Sequence, residues 1–238
     1  MRLLVINPNS TKDITDGIAE SLNPHCPPNA TLSYFTAPSH APPSIRDYVT
    51  GIQTAAACFD ELVKTRAFNE FDGFLVCCFS DHPLQHMIRE HLGAASHKAC
   101  VGMFESGIAQ ALMMSRQFGI VSTGESFKPL IQKGVSTFLG SSGSDRFVGS
   151  SMSGVEVTDL RDEGKKVEVE KRVKEASAKC ARMGADLIIM GCGGMAGMEG
   201  LVAEGVREAG LPEVKVIDAA VAGLVFLAGM IATSSAKK

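Results

Sequence analysis

With 238 residues, 45% of them hydrophobic, the chain is long enough to bury a substantial core in one large domain or two small ones. Its formal net charge is only −3 and no run of lysine or arginine forms a basic stripe, which argues against nucleic acid as a partner. Seven cysteines without regular spacing do not make a disulfide framework and suit a reducing, cytoplasmic setting; no tryptophan and two tyrosines leave few platforms for stacking bases or sugars.

The opening MRLLVINPNS lacks the long apolar stretch of a signal peptide and turns polar at Asn7. Short runs rich in Val, Ile, Leu and Phe then alternate with longer helical patterns, the mark of βα units feeding a parallel sheet. A strand over Leu3–Ile6 leads to a helix over Thr11–Leu22, and a strand over Thr31–Phe35 to the Pro- and Ser-rich stretch Ala37–Asp47 and a helix over Gly51–Ala67. Strands over Gly73–Cys77, Cys100–Phe104 and Phe118–Ser122 are followed by helices over Leu84–Leu92, Gly107–Arg116 and Phe127–Phe138. The Gly- and Ser-rich stretch Gly140–Gly154 reads as a surface loop, with a weak strand at Val155–Val157 and a helix over Glu163–Met183 beyond it. Both irregular stretches are long enough to close over a site. A strand over Leu187–Met190 and a helix over Glu199–Ala209 come next. The most apolar segment, Val214 to Thr233, carries Lys215 and Asp218 and reads as a strand, Lys215–Ile217, turning into a buried helix, Ala219–Ala232, not as a membrane span.

An internal echo with a period of roughly 115 residues organises these elements. Asp72-Gly-Phe-Leu-Val-Cys-Cys78 runs from an acid through an apolar strand to a cysteine, and Asp186-Leu-Ile-Ile-Met-Gly-Cys192 repeats it with the same spacing. A helix follows each, then a strand beginning Val101-Gly-Met or Val216-Ile-Asp. Each half also opens on a strand ending in small polar residues, Leu4-Val-Ile-Asn-Pro-Asn and Ile120-Val-Ser-Thr-Gly. The expectation is an α/β protein of two pseudo-symmetric βα halves, each a mostly parallel sheet flanked by helices, with the site in the cleft between them. Residues 1–105 and 214–238 are assigned to the first half and 106–213 to the second.

Ligands collect at the carboxyl ends of parallel strands, where Asn7, Cys78, Thr123 and Cys192 fall. A pseudo-twofold axis brings Cys78 and Cys192 to opposite walls of one cleft, the arrangement in which one thiolate removes a proton from carbon and a thiol on the other face returns one. Asp81 or His82 can cap a helix whose first turn accepts Pro83, and amides at such a helix start would hold a Cys78 thiolate. The Gly193-Gly194 turn offers close amides to a ligand or an enolate oxygen. The competing view is that strand cysteines are ordinarily core, as read for Cys58, Cys100 and Cys180 and for Cys77 on the opposite side of its strand. His82 and His86 read as helix-surface histidines, with no third ligand to make a metal site, and the scatter of Met113, Met114, Met195 and Met198 as core filler.

At these residues the sequence resembles the aspartate/glutamate/hydantoin racemase superfamily, and within it the hydantoin and allantoin racemase branch. Ile6-Asn-Pro-Asn-Ser-Thr11, Pro43-Ser44-Ile45, Cys78-Phe79-Ser80-Asp81, Gly102-Met-Phe-Glu105, Gly119-Ile-Val-Ser-Thr123 and Gly191-Cys-Gly-Gly-Met195 carry the resemblance, in order, along nearly the whole chain. Bacterial members of that branch read Asp-Pro-Gly after the first cysteine motif, whereas this chain reads Asp81-His82-Pro83-Leu84, as in fungal proteins associated with allantoin use. The resemblance implies Cys78 and Cys192 as acid and base, with no metal and no organic cofactor. Asn7, Ser44, Ile45, Phe79, Ser80, Asp81, Thr123, Gly193 and Gly194 are the candidate substrate contacts.

Asn7, Ser44, Ser80, Thr123, Gly193 and Gly194 are neutral, and a free amino acid would bury a carboxylate and an ammonium there without partners. Glutamate-type racemases resemble this family but place an acid where this chain has Asn7. Asp81 is read as a helix cap and Glu105 as a partner for backbone amides or the loop. The leading expectation is therefore a racemase of 5-substituted hydantoins such as allantoin. An amino-acid racemase of aspartate or glutamate type and a non-catalytic ligand-binding relative are the alternatives. The expected partners are a small-molecule substrate and further copies of the chain in a homo-oligomer, with no nucleic acid and no membrane.

Overall fold

A computed structural model describes residues 1–234. The first half runs β1 (Arg2–Asn7), α1 (Lys12–Leu22), β2 (Thr31–Thr36), α2 (Tyr48–Lys64), α3 (Ala67–Glu70), β3 (Gly73–Val76), α4 (Pro83–Leu92), β4 (Ala99–Gly102) and α5 (Met103–Met114). The second runs β5 (Phe118–Ser122), α6 (Lys128–Leu139), β6 (Phe147–Met152), α7 (Lys166–Arg182), β7 (Leu187–Met190), α8 (Glu199–Glu208), β8 (Lys215–Asp218) and α9 (Ala219–Ser234). The strands form two four-stranded sheets of the same order, β2-β1-β3-β4 and β6-β5-β7-β8, and every pairing is parallel. The expected α/β class and paired halves are thus present. β3, β5 and β7 are buried along their whole length, which is why they are continuous apolar runs rather than alternating ones.

The repeat has a mechanical basis. Asp72 Oδ2 accepts the Arg2 amide at the start of β1 (2.6 Å), and Asp186 accepts the Arg116 and Gln117 amides just before β5 (3.1 and 3.0 Å). Each acid pins the entry of the neighbouring strand. At the other end, the Cys77 amide donates to Ile6 and the Gly191 amide to Val121, at 2.8 and 2.7 Å. Both cysteine motifs therefore leave their sheets at equivalent points.

Four readings of the sequence are corrected. The Gly140–Gly154 stretch holds the edge strand β6, whose small residues and Gly149 at φ 124° mask strand character; it pairs with β5 across a register shift at Phe118/Gly119. Val155–Val157 is not a strand: Val155 is buried and Val157–Asp159 is a 3₁₀ turn. At Cys100–Phe104 the strand stops at Gly102, and α5 begins at once at Met103 with Glu105 accepting the Gly102 amide. Met195 is core as read, but Met113 and Met114 lie exposed on α5.

The end of the chain is shared between the sheets. β8 pairs with β7 in the second sheet, whereas α9 packs on β3 and β4 of the first. α5 does the reverse, lying on β7 and β8 and against α9. The approach is close enough that a Cβ on Gly223 of α9 would stand 2.5 Å from Leu75 in β3, and one on Gly107 of α5 would stand 3.2 Å from Ile189 in β7. One central core accordingly contains Leu3, Leu75 and Val101 of the first sheet together with Phe118, Ile189 and Ile217 of the second. Outer cores lie under α2 and α4 on one side and under α7 and α8 on the other. The last four residues of the 214–238 segment lie outside the described residues. No described helix is long and apolar enough to cross a membrane.

Candidate active site

β3 ends at Val76 and β7 at Met190, so Cys78 and Cys192 each stand two residues past a strand end, one in each half. Both line one cavity at the carboxyl ends of the strands. Phe79, Thr123, Gly193, Gly194 and Ile45 line it too, as does Cys77, which is buried and packs in the central core as the strand alternation implied. All seven cysteines are free.

The sulfurs have unequal surroundings. Cys78 Sγ lies 3.2 Å from Ser80 Oγ, its one hydrogen-bonding neighbour among the described residues. Burial pushes this thiol up to about 12, Ser80 opposes the shift, and charge on Cys192 adds to it. Cys192 is also raised by burial, but the Gly194 amide, the Thr123 hydroxyl and the Met195 amide all oppose the rise. The expectation that a helix start acidifies Cys78 is corrected. α4 begins only at Pro83, and its free Leu84 amide is taken by His82 Nδ1 (3.3 Å), so no helix-start amide is left for the sulfur.

His82 is therefore the cap, and Asp81 is not. Asp81 Oδ1 instead lies 2.6 Å from His86 Nε2 and accepts from Gln85 Nε2 at 3.0 Å. Nor is His82 a surface residue: it is 1% exposed, and burial lowers its pKa to about 4. Because Nδ1 accepts, the proton of the neutral ring is on Nε2, which donates to Thr54 Oγ1 at 3.2 Å. Glu105, besides its bond to the Gly102 amide, is paired with Arg89. It belongs to the α5 start and lies outside the cavity lining.

Asn7 is buried behind the cavity rather than in its wall. Its Nδ2 donates to Asn9 Oδ1, to the Thr11 carbonyl and to Thr15 Oγ1 at 3.0–3.1 Å, which fixes the turn from β1 into α1 and leaves Asn9 to face the cavity. Ser44 is buried and accepts from Arg46 Nε at 3.0 Å. Ser80 and Asp81 line an adjoining cavity.

The sequence reading missed two charged wall residues. Arg46, from the 37–47 stretch, and Glu156, just beyond β6, pair at 3.2 Å across the two halves, each about half exposed. The expected neutral lining is thus corrected at the mouth, while the wall around the sulfurs is neutral. The only signal for Arg46 was its position next to Ser44-Ile45; nothing local marked Glu156. Among the described residues no group of three or more His, Cys, Asp or Glu is placed to hold a metal ion.

Two like βα halves that turn equivalent strand ends toward one cavity define the class: a pseudo-symmetric α/β protein with Cys78 of one half and Cys192 of the other in a shared cavity wall. A model of the Asp/Glu/Hydantoin racemase family matches residues 3–227, and the chain belongs to that family. An uncharacterized protein of Schizosaccharomyces pombe is 33% identical over 97% of this chain and 92% of its own length. A hydantoin racemase of a Pseudomonas species is 28% identical over 95% of this chain and 84% of its own. In structure, an allantoin racemase from Klebsiella pneumoniae superposes with a TM-score of 0.82 at 21% identity, covering all of this chain and 90% of that one. Racemases are isomerases, and the family assignment agrees with the hydantoin and allantoin branch that the motifs resemble.

Proposed function

We propose that the protein is a cofactor-independent racemase that interconverts the enantiomers of a 5-substituted hydantoin such as allantoin, with Cys78 and Cys192 as acid and base. The observation that carries this is the presence of both free thiols, one from each half, in the wall of one cavity. In the reaction, the C5 carbon lies between the sulfurs. A thiolate takes its proton, the electron pair of the C–H bond passes into an enolate on the ring carbonyl, and the opposite thiol delivers a proton to the other face. The sulfurs have then exchanged protonation states, and the enzyme is set for the reverse direction. The Gly193 and Gly194 turn is suited to hold the enolate oxygen. Both sulfurs must stay reduced, which suits a cytoplasmic setting.

Support for a hydantoin comes from the neutral wall around the sulfurs, since a ring with amide donors and acceptors buries no unpaired charge there. The amino-acid alternative has one specific support: Arg46 and Glu156 line the same cavity and offer opposite charges to a carboxylate and an ammonium. They lie half exposed at the mouth and neutralise each other, so a free amino acid would have to break that pair.

The test is solvent deuterium incorporation at C5, with loss of optical rotation, for each allantoin enantiomer in a reducing, metal-free buffer. A no-enzyme control corrects for spontaneous exchange. The expected result is enzyme-dependent exchange with both enantiomers and little or none with aspartate or glutamate. Faster exchange of aspartate than of any hydantoin would promote the amino-acid reading, and exchange with no substrate would leave a binding protein.

A further inference from the structure

Next to the thiol cavity lies a second one, and the two share Ile45 and Phe127 as a common wall. It begins where the first cysteine motif leaves off, at Ser80 and Asp81, and runs outward to Tyr48 and Lys133. Like the thiol cavity it is built from both halves, since Tyr48 opens α2 and Lys133 stands on α6.

Its charged groups are unequally satisfied. Asp47 caps α2, with its Oδ1 accepting both the amide and the hydroxyl of Thr50 at 2.8 Å. Asp81 is held by His86 and Gln85. Among the described residues Lys133 joins no ion pair. Its Nζ lies 5.6 Å from the centroid of the Tyr48 ring, a contact that leaves its N–H donors open to an oxygen acceptor.

We propose that this second cavity receives the substituent on the reacting carbon and that Lys133 recognises a carbonyl oxygen on it. The preferred tail is a neutral amide or ureido group. This deepens the racemase reading and rests on it. With the reacting carbon between the sulfurs, a substituent directed past Ile45 and Phe127 arrives beside Ser80, whose Oγ is 3.2 Å from Cys78 Sγ. An alkyl tail would cover the lysine ammonium without giving it a partner. A carboxylate tail would find one ammonium but also two carboxylates in the same walls. An amide or ureido tail offers a carbonyl to Lys133 and N–H donors to the carboxylates.

The test compares kcat/KM for allantoin, which has a ureido tail, with that for 5-methylhydantoin, in the wild type and in Lys133→Met and Lys133→Arg. Lys133 is exposed, so both variants are expected to fold. In Lys133→Met the allantoin-to-5-methylhydantoin ratio should fall about tenfold or more, mainly through KM for allantoin, as expected for loss of a hydrogen bond from a charged donor. Lys133→Arg should restore most of the ratio. An unchanged ratio in Lys133→Met, with the wild type racemising both compounds, overturns the subsite alone. Failure of the wild type to racemise either overturns the racemase reading and the subsite with it.

Discussion

Burial raises the Cys78 and Cys192 thiols above the ordinary value of 9.0, but the groups that oppose it differ: one serine hydroxyl at Cys78, and two amides and a hydroxyl at Cys192. In the proposed reaction one sulfur must be ionised, so at neutral pH only a small fraction of the unliganded protein carries the base. For a raised thiol that fraction grows about tenfold per pH unit below the pKa. The value of kcat/KM in both directions, corrected for spontaneous racemisation, is therefore expected to climb steadily from pH 7 to pH 9. A profile flat over that window would assign the base to another group. Replacing either sulfur removes one of two proton-transfer partners. Cys78→Ser and Cys192→Ser should each abolish net racemisation, a loss of about a hundredfold or more, while circular dichroism and melting temperature stay close to the wild type. One of the variants should still exchange the C5 proton of a single enantiomer. Full racemisation by either would refute the two-thiol scheme.

At the scale of the element, α4 shows how one departure in a motif is absorbed. His82 stands where a small cap would serve, and it fits because its ring is buried, neutral and bonded at both nitrogens, to the Leu84 amide and to Thr54. A charged ring is disfavoured in the folded state, where the pKa is about 4, against 6.5 in the unfolded chain. The unfolded state therefore binds more protons between these values, and stability is lost as pH falls through that window. His82→Asn keeps a capping oxygen but cannot titrate. It should flatten the pH dependence of urea unfolding between pH 6.5 and 4, whereas His82→Ala should lower stability by about 1–2 kcal/mol through loss of the cap. An unchanged acid slope in His82→Asn would place the acid sensitivity elsewhere.

On the scale of the whole molecule, the two sheets are similar but not separable. α9 covers β3 and β4, α5 covers β7 and β8, and the central core draws on both sheets. A fragment ending at Met114 would retain the first sheet yet expose the face that α9 covers. It is expected to show no cooperative unfolding transition by circular dichroism, whereas mixing it with the 115–238 fragment should restore one. A cooperative transition in the first fragment alone would make the halves independent domains. The same exchange of helices holds the two strand-end loops, and with them Cys78 and Cys192, against one cavity.

Much of this was legible in the residues themselves. The apolar runs of β1, β3, β5 and β7 are local patterns, and the Asp72–Cys78 and Asp186–Cys192 echo is a duplication that spacing alone reveals. Those features marked the sheet class, the paired halves and the two cysteines. Tertiary structure decided whatever depends on neighbours remote in the chain. β6 is a strand only because β5 offers it an edge, and its glycine and serines favour nothing by themselves. Asn7 became a buried brace for the β1–α1 turn because Asn9, Thr11 and Thr15 surround it. Arg46 and Glu156 meet across the mouth although 110 positions separate them. Proton affinity at Cys78, Cys192 and His82 follows from desolvation, a property of the packed interior that no local sequence pattern encodes.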